Sequence, residues 1–280
     1  MLRTLLATVL SLVAFAANSL LARAALADRL IDPVSFTTVR LVSGALALWL
    51  FTLVVRRPRS GGSGAGSWPS AIALFIYAIA FSWAYLSLPA GTGALVLFGA
   101  VQLTMIVVGL WAGERPGLLR WVGLALAVGG LVYLLSPGLS APDPLGATLM
   151  AAAGVAWGVY SLRGRTDVWP VGATAGNFLR TVPLALALIA IALGSLEISG
   201  PGLGLAVVSG VVTSGLGYVV WYIALRDLTA TMAAVVQLAV PVLAALGGVL
   251  LLREAFSARL AISSLLILGG VAVATLARER

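Results

Sequence analysis

Long apolar runs, each closed by a short polar or Gly/Pro-rich break, fill nearly the whole chain. A hydrocarbon core of ~30 Å takes about 20 helical residues to cross. Divided at its Gly, Pro and charged breaks, the sequence predicts ten helices over 3–25, 34–55, 69–87, 91–113, 118–136, 145–163, 170–194, 202–224, 228–251 and 257–277. The stretch RRPRSGGSGAGSWPS, Arg56 to Ser70, reads as a loose coil joining the second and third runs. A second break, SPGLSAPDPLG, divides the chain near its middle. The first run, MLRTLLATVL, opens like a signal peptide, but no small-residue cleavage site ahead of a soluble domain follows. It is therefore expected to be a spanning helix.

Composition supports this reading. The chain is 61% hydrophobic and 9% charged, with a mean hydropathy of +1.11, whereas soluble domains are about one-quarter charged. A polytopic membrane protein in contact with lipid is expected. The net charge of +8 does not point to nucleic acid, because the arginines lie at segment ends rather than on one basic face. Cysteine and histidine are absent, and every basic residue is arginine. Thiol chemistry, disulfides, the usual zinc and haem ligands and Schiff-base lysines are thereby removed, so no cofactor or metal is expected. Nothing in the sequence specifies an oligomeric state.

The arginines also suggest an orientation. Arg3, Arg56, Arg57, Arg59, Arg115, Arg120, Arg163, Arg165, Arg226, Arg278 and Arg280 would share the face bearing both termini, against Arg23, Arg29, Arg253 and Arg259 opposite. Positive residues mark the cytoplasmic side, which places both termini inside.

The second half echoes the first. At an offset of about 140, Glu114 meets Glu254, Gly129-Gly130 meets Gly269-Gly270, Arg40 meets Arg180, and ALAL at Ala45 matches ALAL at Ala185. Phe15 to Arg23 aligns, slightly shifted, with Trp157 to Arg165. Two units follow, 1–137 and 145–280, each with five helices. Five is odd, so the second unit enters the membrane upside down, and inverted repeats of this kind build alternating-access carriers. Glu114 and Glu254 then cap equivalent hairpins on opposite faces, where a solvated turn is the expected role for the glutamates themselves.

These features resemble the ten-helix branch of the drug/metabolite transporter superfamily, built from duplicated EamA-type units. The resemblance rests on FAANS at Phe15 and WGVYS at Trp157, on Arg40 and Arg180, on Pro241 in LAVPVLAAL, and on the ER/RE turn before each last helix. Phe15 stands where the family often has tryptophan, and Val101 where the second half has Pro241. The resemblance implies a bacterial inner-membrane, multi-pass exporter of small organic metabolites. Its central cavity would be lined by the first, third and fourth helices of each unit. Exporters of amino acids, aromatic ones included, are the nearest in kind.

Side chains for such a cavity are found at matching faces. Tyr77 and Phe81 lie four apart on the third run, with Trp83 near its end, and Tyr218, Trp221 and Tyr222 form the corresponding cluster on the eighth. Phe15 with Asn18, and Trp157 with Tyr160, mark the first and sixth; Phe98 with Gln102, and Gln237, mark the fourth and ninth. Small-molecule cavities are mostly apolar and aromatic with a few placed polar groups, although aromatics also form interface belts and buried glutamines bond neighbouring helices. Arg40 and Arg180 are candidate carboxylate anchors or structural pins, since an intramembrane charge is costly enough to imply a task. Pro183 and Pro241, inside apolar runs, are candidate gating bends. No acidic residue is expected at mid-membrane, which weighs against cationic substrates and tight proton coupling and favours facilitative transport or exchange. Export of another metabolite or drug is the alternative. An intramembrane enzyme would need a nucleophile, acid or metal constellation that the sequence lacks, and a passive channel a charge ring or filter motif.

Overall fold

The structure, a computed structural model, describes residues 2–55, 65–111, 117–138, 141–164, 167, 169–225, 228 and 236–276. Among these the chain is helical: α1 (Leu2–Ala27), α2 (Pro33–Val54), α3 (Trp68–Ala84), α4 (Ala90–Trp111), α5 (Leu118–Leu135), α6 (Pro144–Gly164) and α7 (Pro170–Ala192) come first. Then α8 (Gly200–Val208), a π-helical segment (Ser209–Leu216) and α9 (Gly217–Leu225) run on as one rod, followed by α10 (Ala239–Leu252) and α11 (Ala258–Leu276). By length and composition seven of the described helical rods can cross a membrane, and three shorter apolar helices, within α3, α10 and α11, complete ten. Nine of the ten fall within a few residues of the predicted runs; the run expected from 228 is described as α10 only from Ala239, and 229–235 lie outside the described residues.

Helix starts are written in short local signals. Asp32 accepts from the Ser35 N–H at 2.9 Å ahead of Pro33. Ser67 caps α3 ahead of Pro69, and Ser199 caps α8 ahead of Pro201. A proline in the first turn lacks only an N–H that would have no helical partner anyway. Asp143 does the same for α6, accepting from the Gly146 N–H at 2.6 Å and the Ser87 hydroxyl at 2.9 Å. These bonds hold its carboxyl below the usual carboxylate range.

Pro183 does lie inside α7, and Pro241 is the third residue of α10, after a turn at Leu238. Val236 and Gln237 ahead of that turn are helical, and Pro241 lacks the N–H that would bond back to Gln237, as a proline bend requires. The proposed hairpin at Glu114 lies outside the described residues.

Helices of the two halves interleave. α2 packs on α7, α5 on α11 and α4 on α10, while α6 lies against α3 and α4, and α1 against α9 and α10. At the end of the bundle where α1 finishes (the upper end), the α1–α2 and α7–α8 connections are stitched together. The Asp32 N–H donates to Glu197 O at 2.8 Å, the Glu197 N–H to Asp32 Oδ2 at 2.9 Å, and the Ser199 N–H to Leu30 O at 2.9 Å. Outward faces carry exposed leucines, valines and tryptophans such as Leu50, Trp121, Leu250 and Leu265, as contact with lipid requires.

The α5–α11 contact is made through backbone. A Cβ on Gly123 would stand 2.5 Å from Ala274 N and Gly270 O; one on Gly270 would stand 2.6 Å from Ala127 N and Gly123 O. Small residues let helices approach closely where hydrocarbon supplies no driving force for association. Gly129 and Gly269, on other faces of the same two helices, face open space. Gly123→Val should therefore lower the thermal midpoint of the detergent-solubilised protein, overpacking costing about 1–3 kcal/mol, while Gly129→Val leaves it unchanged. Equal effects in a fluorescence melt would contradict the close approach.

Candidate functional site

Helix α1 brings Phe15, Asn18 and Ser19 to the centre of the bundle, α3 brings Tyr77 and Phe81, and α4 Leu97 and Phe98. From the second half α6 supplies Trp157, the π-helical segment Thr213 and α9 Tyr218. The rings form one continuous cluster. Trp157 lies 4.9 Å from both Tyr77 and Tyr218 and 6.4 Å from Phe15, and Phe15 meets Tyr218 edge-on at 6.0 Å. The free volume of ≈ 20 Å³ is room for about one water, so a substrate must part these rings to enter.

Of the other residues expected here, some lie around the wall and some do not. Trp221 packs edge-on against Phe15 at 5.8 Å, and Tyr160 lies 5.5 Å from Trp157 with its buried hydroxyl unpartnered. Gln102, one turn beyond Phe98, is buried with its Nε2 unpartnered. Trp83 does not reach the cavity: two residues past Phe81 it is turned about 200° around the helix, and it remains half-buried at the end of α3. Tyr222 sits one turn below Tyr218, its hydroxyl against Gly164 at the end of α6. Gln237 is buried just ahead of α10 and is not among the lining residues.

Arg40 and Arg180, matched in sequence, have different surroundings. Arg40 is 1% exposed, beside the cavity. Its Nε donates to Ser214 Oγ at 3.0 Å and its Nη2 to the Tyr77 hydroxyl at 2.9 Å, while Nη1 has no partner. The guanidinium carbon stands 5.1 Å from the centre of the Tyr77 ring and 4.9 Å from that of Phe81, within the range of cation–π attraction. Arg180 instead donates to the Ala65 carbonyl and, at 2.9 Å, to Gly176 O. Of the two roles expected for the pair, Arg180 takes the structural one, pinning the chain ahead of α3 onto α7.

The π-helical segment makes the Arg40 site. A wider turn brings residues five apart onto one face, so Ser209, Thr213 and Ser214 can be used together. Ser209 Oγ donates to Asn18 Oδ1 at 2.7 Å, Thr213 Oγ1 lies 3.0 Å from the same oxygen, and Asn18 Nδ2 reaches the Tyr77 hydroxyl at 3.4 Å. Four elements thus meet in one buried polar cluster. Sequence reasoning found Asn18 and Arg40 but not the three hydroxyl residues, which carry no signal until the π turn gathers them.

A polar pocket lies at each end of the bundle. The upper one, ≈ 300 Å³, is lined by Arg23, Asp28, Arg253 and Glu254 among others. The lower one, ≈ 350 Å³, holds Ser67, Ser70, Arg163, Asp167 and Asn177. There Asn177 Oδ1 accepts from the Ser67 N–H at 2.8 Å and Arg163 Nε donates to Ser70 Oγ at 3.0 Å. Burial pushes the Asp167 carboxyl up from its ordinary value, partly offset by Arg163.

Glu254 overturns the expectation of a solvated turn. Its side chain is 13% exposed, and it pairs with Arg23 Nε at 3.2 Å. Both its oxygens accept from the Ala90 N–H, at 3.0 and 2.9 Å, so it caps α4. Arg23 Nη1 in turn donates to the Tyr85 and Leu86 carbonyls, each at 3.1 Å. An αL backbone at Arg253 (φ 54) makes the turn that delivers the carboxylate. This clamp joins α1, the α3–α4 turn and the α10–α11 turn, and Arg23 stands one turn, about 6 Å, above Ser19 of the cavity wall.

Ten apolar helical rods around an aromatic cavity, among the described residues, define a multi-pass membrane protein. The EamA-like transporter family model matches residues 2–136 and again 144–276, and the chain belongs to that family. An uncharacterised protein of Pseudomonas aeruginosa is 54% identical over 97% of this chain and 94% of its own. A probable terminal-alkyne amino-acid exporter of Streptantibioticus cattleyicolor is 28% identical over 45% of this chain and 43% of its own. An uncharacterised inner membrane transporter of Escherichia coli K12 is 31% identical over 32% and 29% respectively. One solved crystal structure superposes with a TM-score of 0.66 at 26% identity, covering 96% of this chain and 98% of that one.

The chain has no cysteine, so Ser19→Cys reports access to the cavity directly. Adding Glu254→Ala should speed its reaction with a water-soluble maleimide several-fold in detergent, since the clamp above it is lost. An unchanged rate would show that the clamp does not close that path.

Proposed function

We propose that the protein exports small organic metabolites, amino acids including aromatic ones, across a bacterial inner membrane by alternating access, as a facilitative carrier or exchanger. The observation that carries this is the ring cluster of Phe15, Tyr77, Phe81, Phe98, Trp157 and Tyr218 at the bundle centre, with a polar pocket towards each end. Aromatic walls with a few placed polar groups suit a small amphipathic solute. The S. cattleyicolor relative, an amino-acid exporter by its name, and the inner-membrane transporter of E. coli are consistent with substrate class and location.

The same reading takes the halves, 1–137 and 145–280, as inverted repeats with both termini in the cytoplasm. The packing partners support it. Exchanging each helix for its counterpart turns the α3–α6 contact into the contact of α1 with α9, and α4–α6 into α1–α10; it returns α2–α7, α4–α10 and α5–α11 to themselves. An enzymatic role has less support, since among the described residues no group of three or more acidic side chains could hold a metal, and the buried polar cluster holds no carboxylate.

Purified protein in liposomes should take up radiolabelled phenylalanine saturably, with competition by other amino acids and no need for a proton gradient. Trp157→Ala removes four ring contacts, each worth about 0.5–1.5 kcal/mol, and should cut that uptake by about tenfold or more. Trp83→Ala should stay within about twofold. Uptake that is not saturable, or equal losses in the two variants, would contradict the proposal.

A further inference from the structure

We infer that the cavity takes its substrate by a carboxylate, received by the Tyr77 hydroxyl with Arg40 behind it, so that the transported class is organic acids with an apolar or aromatic body and not amines. This deepens the proposed function and rests on it for the site.

The charge on Arg40 is unbalanced: the side chain is buried, and its partners are neutral, a serine, the Tyr77 and Tyr218 hydroxyls and two ring faces. Among the described residues the carboxylates Asp28, Asp32, Asp143, Asp167, Glu197 and Glu254 lie at helix ends or in connections, and the ion pair described is the distant Arg23–Glu254. A buried guanidinium stays charged and is normally matched by an anion. Here one of its nitrogens, Nη1, has no acceptor.

The Tyr77 hydroxyl connects that charge to the cavity. It accepts from Arg40 Nη2 at 2.9 Å and from Asn18 Nδ2 at 3.4 Å. Both bonds use its lone pairs, so its own proton is left to donate, to the neighbouring Tyr218 hydroxyl in the empty cavity or to a substrate oxygen that displaces it. Hydrogen bonds in series polarise one another, and a hydroxyl that accepts from a guanidinium becomes a stronger donor to an oxyanion. Asn18 is itself fixed, its oxygen occupied by Ser209 and Thr213. Tyr77, Asn18 and Thr213 all line the cavity, whose other walls offer apolar and aromatic surface. A carboxylate there gains a charge-assisted bond and neutralises the buried cation. An ammonium meets a like charge and no carboxylate.

Arg40 is a positioning residue in this scheme, acting through Tyr77, and three probes of one shape test it: phenylalanine, phenylacetate and phenethylamine. Binding to the full-length protein is read by quenching of tryptophan fluorescence, and flux by uptake into proteoliposomes. Phenylalanine and phenylacetate should bind at least tenfold more tightly than phenethylamine. Tyr77→Phe, which keeps the ring, should reduce that preference to less than about threefold, and Arg40→Lys should retain more of it than Arg40→Gln. Equal binding of acid and amine, a preference unchanged in Tyr77→Phe, or no binding of any probe would overturn the inference. Acid-selective binding without flux would uphold it and overturn export. Flux of phenylalanine with no preference over the amine would do the reverse.

Discussion

Removing the Arg40 guanidinium from water, in a bundle whose surroundings are hydrocarbon, sets the terms for the centre of this protein. Insertion scales put an arginine at mid-membrane at about 2.5–3.5 kcal/mol, a cost that neighbouring groups must offset. They do so from several elements at once: a serine from the π-helical segment, a tyrosine from α3 and two ring faces. The same tyrosine and the same segment form part of the cavity wall. The geometry that makes the charge tolerable and the geometry that shapes the cavity are therefore one arrangement, and neither can change alone.

The ends of the bundle are built differently from its middle. Their fastenings join loops to helix termini: Glu254 to the first turn of α4, Asp32 to the Glu197 backbone, Arg259 to the Ser136 carbonyl, Ser87 to Asp143. All but the Glu254 cap, whose side chain is 13% exposed, sit where water can replace a lost partner, so their making and breaking is cheap. The aromatic middle, by contrast, is held by packing. This division separates a packed centre, which opens only by parting its rings, from end contacts that exchange readily.

Much of this could be read from the chain. Apolar runs and breaks give nine of the ten described helices to within a few residues, because a span of hydrocarbon imposes its own length. Four-residue spacing places Tyr77 beside Phe81, and the second-half echo brings Trp157 and Tyr218 to the same cavity. The misses have physical causes. Trp83 fails because two steps along a helix turn a side chain away. Arg40 and Arg180 occupy matching positions, yet only one meets a π turn that widens the backbone to receive it. Glu254 looked like a surface residue because its partner is a helix terminus 164 residues away, a relation with no local trace.

The glycine-lined contact of α5 and α11 has a mechanical implication. These two helices grip each other closely, yet beyond that grip they lean on the bundle mainly through α4, and they contribute nothing to the cavity wall. A pair so joined behaves as a single rib attached along one seam. The last helix of each half is thus fastened first to the last helix of the other, and to the rest of the bundle mainly along that seam.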